Sequence, residues 1–182
     1  MKMHQAILGL VLIGCALLPG FGQAAPAVAP PIPAPAATGL PPSITLAEAR
    51  AIIDGALAYA RQRNTLMAAV VVDQAGNVVS SDRMDGVALA NVQYAVGKAF
   101  AAAMSRQTTE TLSQLAKERP DRYFGIINMW PGKVYLVGGG EPLIVNGQLV
   151  GAVGVAGLAQ FEDEAAGRAG MAAWERTRAN RR

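Results

Sequence analysis

A glycine-rich stretch near the C-terminal end of the chain, VGGGEPLIVNGQLVGAVGVAG over residues 137–157, most constrains the fold. A phosphate-binding loop needs glycines that are followed directly by a helix, because the helix N-terminus binds the phosphate. Here Gly138–Gly140 precede Glu141-Pro142 and then a run of β-branched residues. The stretch therefore predicts strands and argues against a nucleotide-binding loop.

The middle of the same stretch predicts a β-hairpin. Asn146-Gly147 is a strong signal for a two-residue turn, and apolar residues lie on each side of it. The second strand then carries a glycine at every third position: Gly151, Gly154 and Gly157. Glycines inside a strand indicate that something approaches its backbone closely, which here is a helix, a neighbouring subunit or a flat ligand.

Hydrophobic spacing and turn residues along the rest of the chain predict further helices and hairpins. The predicted elements are a helix begun by a capping box of Thr45 and Glu48, paired strands over 66–72 and 78–84, a helix over 88–104, a short helix capped by Thr108 or Thr109 that ends before Pro120, strands over 123–128 and 133–137, and a last helix that opens with Glu162. This order predicts an α+β domain with an antiparallel sheet.

The first residues predict export. Residues 1–24 combine a short positive start, an apolar run and a small-residue cleavage site, which is typical of a signal peptide. Residues 25–43 are rich in proline and alanine and predict a stiff linker, so the domain is expected over 44–182. We expect the protein to be periplasmic or secreted, with a lipoprotein anchored through Cys15 as the alternative.

The chain contains one histidine, His4, and one cysteine, Cys15, and both lie in the predicted leader. An exported domain without them has no internal disulfide, no cysteine nucleophile and no zinc site of the His and Cys kind. A Ser-His-Asp triad is excluded for the same reason.

Charge and hydropathy exclude other partners. The net charge of +3 reflects an arginine-rich C-terminus, which favours a solvated helix end over a nucleic-acid site. The three acids Glu162–Glu164 favour the start of a helix over a metal cluster, because adjacent residues point in different directions around a helix. No later apolar stretch reaches the length of about 20 residues that a membrane span needs.

From Ile44 to about Trp174 the chain resembles the GlcG/HbpS-like haem-binding family, which also includes the C-terminal domain of PduO-type proteins. The segments that carry the resemblance are ITLAEARAIIDGALAYA, VVDQAGNVVSSDRMDGVALA with the following GKA, GGGEPLIVNGQLVGAVGVAG and EDEAAGRAG. The resemblance implies a profilin-like fold with a five-stranded antiparallel sheet flanked by helices, a homo-oligomer such as an octamer, and haem binding. Haem sensing, carriage or degradation are the functions it implies.

The resemblance also implies where the ligand binds, namely the segment around Arg83-Met84-Asp85-Gly86, the following helix and the glycine-rich hairpin. The cofactor-binding candidates at these positions are Arg83, Met84, Tyr94, Lys98 and Arg106. Protein ligands of haem iron are His, Cys, Met or Tyr, so Met84 and Tyr94 become the candidate iron ligands, with Tyr123 as an alternative. Arg83 or Arg106 would meet the propionates.

Plainer interpretations of the same residues remain open. A lone Met or Tyr such as Met84 or Tyr94 is more often a core residue than a ligand. Arg83 and Asp85 are also typical of turn-flanking surface charges, and Lys98 of a side chain that reaches from an alanine-rich helix to solvent. A second function is a lyase, isomerase or hydrolase with Asp82, Asp85 or Glu141 as general base. A third is an accessory oligomer of a membrane sensor.

Overall fold

The computed structural model describes residues 42–157 and 159–180, and within them the chain forms five helices and four strands. In chain order these are α1 (Leu46–Gln62), β1 (Ala68–Asp73), β2 (Val78–Arg83), α2 (Ala90–Ser105), α3 (Thr109–Glu118), α4 (Pro120–Met129), β3 (Gly140–Val145), β4 (Gln148–Ala156) and α5 (Gln160–Ala179). The predicted signal peptide, most of the predicted linker and Cys15 lie outside the described residues.

The four strands form one antiparallel sheet in the order β2-β1-β4-β3. Alternate residues of β1 face opposite sides, as the pleat requires. Ala69 and Val71 pack with α1 and α5, whereas Val70 and Val72 pack with α2. The domain is therefore a sheet with helices on both faces, and the α+β prediction with an antiparallel sheet is confirmed.

The capping box predicted for α1 is present. The Thr45 hydroxyl accepts a hydrogen bond from the Glu48 backbone amide at 3.2 Å, and a Glu48 carboxylate oxygen accepts one from the Thr45 backbone amide at 3.1 Å. These bonds satisfy amides that have no partner inside the helix. The apolar face that follows is buried over residues such as Ile52 and Ile53, and so fixes α1 against the sheet.

The glycines of β4 allow close packing, as their spacing indicates. A methyl group on Gly154 would overlap the carbonyl oxygen of Ala95 and would lie 2.6 Å from the amide nitrogen of Ala99, both in α2. Of the three neighbours that the sequence left open, a helix therefore lies against this glycine. Alanines on the facing side of α2 bring the helix backbone this near to the sheet.

The sheet has four strands and not the five that the resemblance implies, and two strands predicted from the sequence pattern are wrong. Residues 123–128 lie in α4, and residues 133–137 are irregular. Pro120 in the first turn with Asp121 beside it favours a helix start, and Tyr123 and Ile126 then share one apolar face that packs on Leu112 of α3. A short apolar run fits a strand or a helix equally well by periodicity, and here the proline settles the outcome.

The described part of the chain contains no helix that is both long and apolar enough to cross a lipid bilayer.

Candidate functional site

One end of the sheet brings the glycine-punctuated segments together. Ala68 at the start of β1 pairs with Arg83 at the end of β2 on one side and with Ala156 at the end of β4 on the other. The chain leaves β2 to enter α2 and leaves β4 to enter α5, so both helices begin at this end. Their first turns and the segment before β3 surround the strand ends.

A crevice lies at this end and encloses about 180 Å³. We call it the Tyr94 crevice; its lining residues are Asn91, Tyr94, Lys98, Tyr135, Val137, Ala156, Gly157 and Asp163. The Tyr94 and Tyr135 rings stack with their centroids 4.9 Å apart. The Asn91 side chain donates a hydrogen bond to the carbonyl oxygen of Gly157 at 3.0 Å, which ties the start of α2 to the end of β4.

A buried ion pair borders the crevice. Lys98 Nζ donates to Asp163 Oδ2 at 2.6 Å and to the backbone carbonyl of Val155 at 2.9 Å, and the Lys98 side chain is 2% exposed. The plainer interpretation, in which Lys98 reaches solvent, is therefore wrong, because the Asp163 carboxylate and the Val155 carbonyl hold the ammonium inside. Gly139, at φ +116°, covers the pair, and a methyl group there would lie 2.7 Å from the Asp163 Cβ.

Burial brings the pKa values of the two groups of the pair closer together. Burial lowers the pKa of the Lys98 ammonium, against the attraction of Asp163. Burial raises the pKa of the Asp163 carboxyl, against the opposing effect of Lys98 and of the Gly157 backbone amide. The free-energy difference between the charged pair and the proton-transferred pair is consequently smaller than in water.

Arg83 and Met84 line a different depression of about 580 Å³, together with Leu57, Arg61, Ser81, Asp82 and Asp85. The Met84 side chain is partly buried against the core under α1. Arg83 donates from Nη1 to the carbonyl oxygen of Val87 at 3.0 Å. Within one chain, Met84 and Tyr94 therefore do not face a common cavity, although both segments lie at the same end of the sheet.

Arg106 lies at the opposite end of the sheet. It follows α2 in the left-handed conformation (φ 58°) and donates from Nη2 to the carbonyl oxygen of Gly147 in the β3–β4 turn at 2.8 Å. Tyr94 is near the start of α2, so the helix separates the two residues by about 18 Å at 1.5 Å per residue. Within one chain Arg106 is thus apart from the Tyr94 crevice.

The remaining candidates are also dispersed. Tyr123 is buried in a small cluster with Ala101 and Leu112. Asp82 lies 3.5 Å from Arg50. Glu141 is buried beside α5, where desolvation raises the pKa of its carboxyl to about 7 despite Arg168 at 4.0 Å. That shift is the one expected for a general base, but Glu141 does not line the Tyr94 crevice.

Sequence reasoning missed Asp163 and Tyr135 as residues of the site. Asp163 was expected only as one of three acids at a helix start, and Tyr135 was expected in a strand. One signal was available for Asp163, because a lysine in an alanine-rich helix that packs on a sheet needs an acid partner if it is buried. Nothing comparable marks Tyr135.

Solved structures with the same fold have been determined. Klebsiella pneumoniae protein ORFY is 25% identical and superposes with a TM-score of 0.70, covering 79% of this chain and 98% of its own. A double mutant of HbpS from Streptomyces reticuli is 28% identical with a TM-score of 0.67, covering 81% and 97%. PduOC, solved as a complex with haem, is 25% identical with a TM-score of 0.66, covering 72% and 94%.

A family model described as haem degrading protein HbpS-like matches residues 44–172, well over half of the chain. The match begins two residues before α1 and ends within α5, so it includes every strand and the whole of the Tyr94 crevice. The resemblance inferred from the sequence motifs is confirmed, and the chain belongs to the HbpS-like family.

Proposed function

We propose that this protein binds haem, or a flat tetrapyrrole like it, across the mouth of the Tyr94 crevice. Membership of the HbpS-like family and the likeness to a haem-complexed structure support a role in haem binding or degradation. The placement at the crevice mouth is carried by one observation, the exposed apolar side chains on the segments that meet there.

Those side chains are Leu66, Leu89, Tyr94 and Phe161, which are 42%, 79%, 43% and 67% exposed. Leu66 precedes β1, Leu89 directly precedes α2, Tyr94 lies in its first turns, and Phe161 lies at the start of α5, so all four come from segments at the same end of the sheet. Clustered exposed apolar residues indicate a binding surface, because isolated domains rarely leave such patches uncovered.

The size of the crevice decides how a haem fits. At about 180 Å³ it is smaller than the roughly 300–1,000 Å³ of sites that enclose a drug-sized ligand. Its wall includes the buried Lys98 and Asp163 side chains, which hydrogen-bond to each other. The chain therefore fits a porphyrin that lies over the mouth, with its faces against apolar side chains, and does not fit one that is enclosed by a single subunit.

The mouth also offers the groups that haem requires. Tyr94 carries a phenol, which is an iron ligand in some haem proteins. The exposed Arg83 lines the neighbouring depression at the same end of the sheet, from which its guanidinium would meet a propionate. Bound haem would supply an iron centre capable of ligand exchange and redox chemistry. Residues of the chain would hold the porphyrin and limit access of water to its buried face.

We further propose that the protein is exported through the predicted signal peptide and acts as a homo-oligomer. The apolar side chains of Phe124 and Met129 on α4, each 70% exposed, support assembly, because a second subunit would cover them. Export is supported only by the sequence of residues 1–24.

A hemin titration of the purified chain tests the proposal. We expect a saturable shift of the Soret band, which Tyr94→Phe moves to another wavelength and which Arg83→Ala weakens several-fold. Arg106→Ala is the matched control, since it removes an arginine at the far end of α2 and should leave the titration unchanged. An unaltered hemin spectrum at excess protein would overturn the proposal. A Tyr94→Phe protein with the wild-type spectrum would show that Tyr94 is not the iron ligand.

A further inference from the structure

We propose that Lys98 is a nucleophilic amine and that the Tyr94 crevice accepts a small aldehyde or ketone, with which Lys98 forms a Schiff base. This activity goes beyond haem binding and does not rest on it. It is inferred from the position of Lys98 at the wall of a crevice, the proton acceptor beside it and the size of the space in front of it.

The location of Lys98 sets it apart from the other lysines. The chain contains Lys2, Lys98, Lys117 and Lys133. Lys117 and Lys133 are exposed, whereas Lys98 is the largest fully buried side chain of the described residues and still borders the crevice. Desolvated lysines at the wall of a pocket are the ones that proteins use for Schiff-base chemistry.

Stability alone is a weak reason for the ion pair. Removing two charges from water costs several kcal/mol per ion, and apolar replacements of similar volume are often as stable as a buried pair or more so. A buried pair that adds little stability and lies next to an accessible space is better explained by a role in a chemical reaction. Gly139 and Gly157 pack directly against the pair: an added methyl group would lie 3.1 Å from Lys98 Nζ at Gly139 and 3.1 Å from Asp163 Oδ1 at Gly157.

Asp163 provides the proton acceptor that a lysine nucleophile needs. Its Oδ2 lies 2.6 Å from Lys98 Nζ, within direct proton-transfer distance. The pKa of the Lys98 ammonium is lowered and that of the Asp163 carboxyl is raised, both by burial, so transfer of the proton to Asp163 costs less than it would in water. The resulting neutral amine carries the lone pair that attacks a carbonyl carbon.

The crevice limits the substrate to a few carbon atoms. Its volume of about 180 Å³ lies below the range of drug-sized sites. The stacked rings of Tyr94 and Tyr135 supply an apolar wall, and their phenols and the Asn91 amide supply polar groups. A short aliphatic aldehyde or ketone matches this combination of size and lining.

The reaction balances without any other reactant. Lys98 passes one proton to Asp163, and the amine nitrogen bonds to the carbonyl carbon while the carbonyl oxygen takes the proton from Asp163. A second proton moves from the nitrogen to Asp163 and then to the hydroxyl group, which leaves as water while the C=N bond forms. The product is a protonated imine on Lys98 beside the Asp163 carboxylate, so the buried charges are the same before and after.

Reductive trapping tests the proposal. The purified chain is incubated with propionaldehyde and cyanoborohydride at pH 7, and the modified lysines are mapped by peptide mass spectrometry. We expect the propyl adduct on Lys98 to form at least tenfold faster than on the exposed Lys117 and Lys133, which act as internal controls. In urea the preference for Lys98 should disappear. Faster labelling of Lys117 and Lys133 in the folded chain, or no adduct on Lys98, would overturn the proposal.

The role of Asp163 is tested separately. Asp163→Asn should slow trapping at Lys98 at least tenfold and leave Lys117 and Lys133 unchanged, provided that circular dichroism shows a folded chain. If that variant does not fold, the wild-type mapping still decides the proposal by itself. The result is also separate from the haem proposal, because a chain that is labelled on Lys98 but does not shift the Soret band loses only the haem function.

Discussion

Gly154 of β4 lies so close to the carbonyl oxygen of Ala95 in α2 that an added methyl group would overlap that oxygen. Gly154→Ala must therefore displace the helix or bend the strand. Overpacking of this kind typically costs about 1–3 kcal/mol, and a backbone neighbour places this substitution at the upper end of that range. Urea unfolding of the variant should show a midpoint well below that of the wild type.

A matched control is available in α4. A methyl group on Gly125 would have no atom within 4 Å apart from its chain neighbours and the backbone of its own helix turn. Gly125→Ala should leave the free energy of unfolding unchanged or raise it by about 0.5–1 kcal/mol, because alanine favours a helix over glycine. Equal losses at both positions would contradict the close packing of α2 on β4.

The ion pair of Lys98 and Asp163 predicts a non-additive pair of substitutions. Lys98→Met alone leaves a buried carboxylate without its partner and should cost about 3–5 kcal/mol. Lys98→Met combined with Asp163→Leu removes both charges and should recover most of that loss. The measurement is a double-mutant cycle by urea unfolding at pH 7, and a double variant as unstable as the sum of the single variants would contradict it.

Glu141 predicts a pH dependence of stability. Its pKa in the folded chain is about 7, raised from an ordinary value of 4.5, so the folded state holds the proton more tightly than the unfolded state. The stability that this provides is complete below pH 4.5 and is lost as the pH rises through 7. Glu141→Gln, which stays neutral, should therefore be more stable than the wild type at pH 8, by at most about 3.4 kcal/mol at 1.36 kcal/mol per pKa unit.

The difference between the Glu141→Gln variant and the wild type should shrink below pH 5, where both side chains are neutral. Glu118→Gln at the exposed end of α3 is the control and should shift stability equally little at both pH values. Thermal unfolding of the three proteins at pH 4.5 and pH 8 distinguishes these outcomes. A Glu141→Gln protein less stable than the wild type at pH 8 would show that Arg168, at 4.0 Å, outweighs burial.

The capping box of α1 predicts a smaller effect. Thr45→Ala removes the hydroxyl that accepts the Glu48 amide and should lower the free energy of unfolding by about 1 kcal/mol. Thr45→Ser keeps the hydroxyl and should restore most of it. Guanidinium unfolding monitored by circular dichroism is sufficient, and equal stabilities of the alanine and serine variants would contradict the cap.

Local chemistry was enough to predict much of the fold. The caps Thr45 and Thr108 and the turn at Asn146-Gly147 stand where their side chains and backbone preferences place them. α4 was missed because its apolar run is short, so that the choice between helix and strand depended on Pro120 rather than on spacing.

The candidate site was less accessible from the sequence. Tyr94 and Lys98 were identified and do share a crevice, but their partners Asp163 and Tyr135 come from segments that are 65 and 41 residues away from Lys98 and Tyr94. Such pairings depend on how the sheet register aligns the ends of β1, β2 and β4, and no local pattern encodes that alignment. The same register places Arg106 at the other end of the sheet from the Tyr94 crevice.

The opposite charges of Lys98 and Asp163, 2.6 Å apart, cancel each other at any distance much larger than their separation. The wall that they form exerts little long-range attraction on a molecule that approaches from solvent. Salt ions therefore have little electrostatic attraction to screen. An uncharged guest should therefore enter at an unsteered encounter rate and bind equally well in dilute buffer and in concentrated salt.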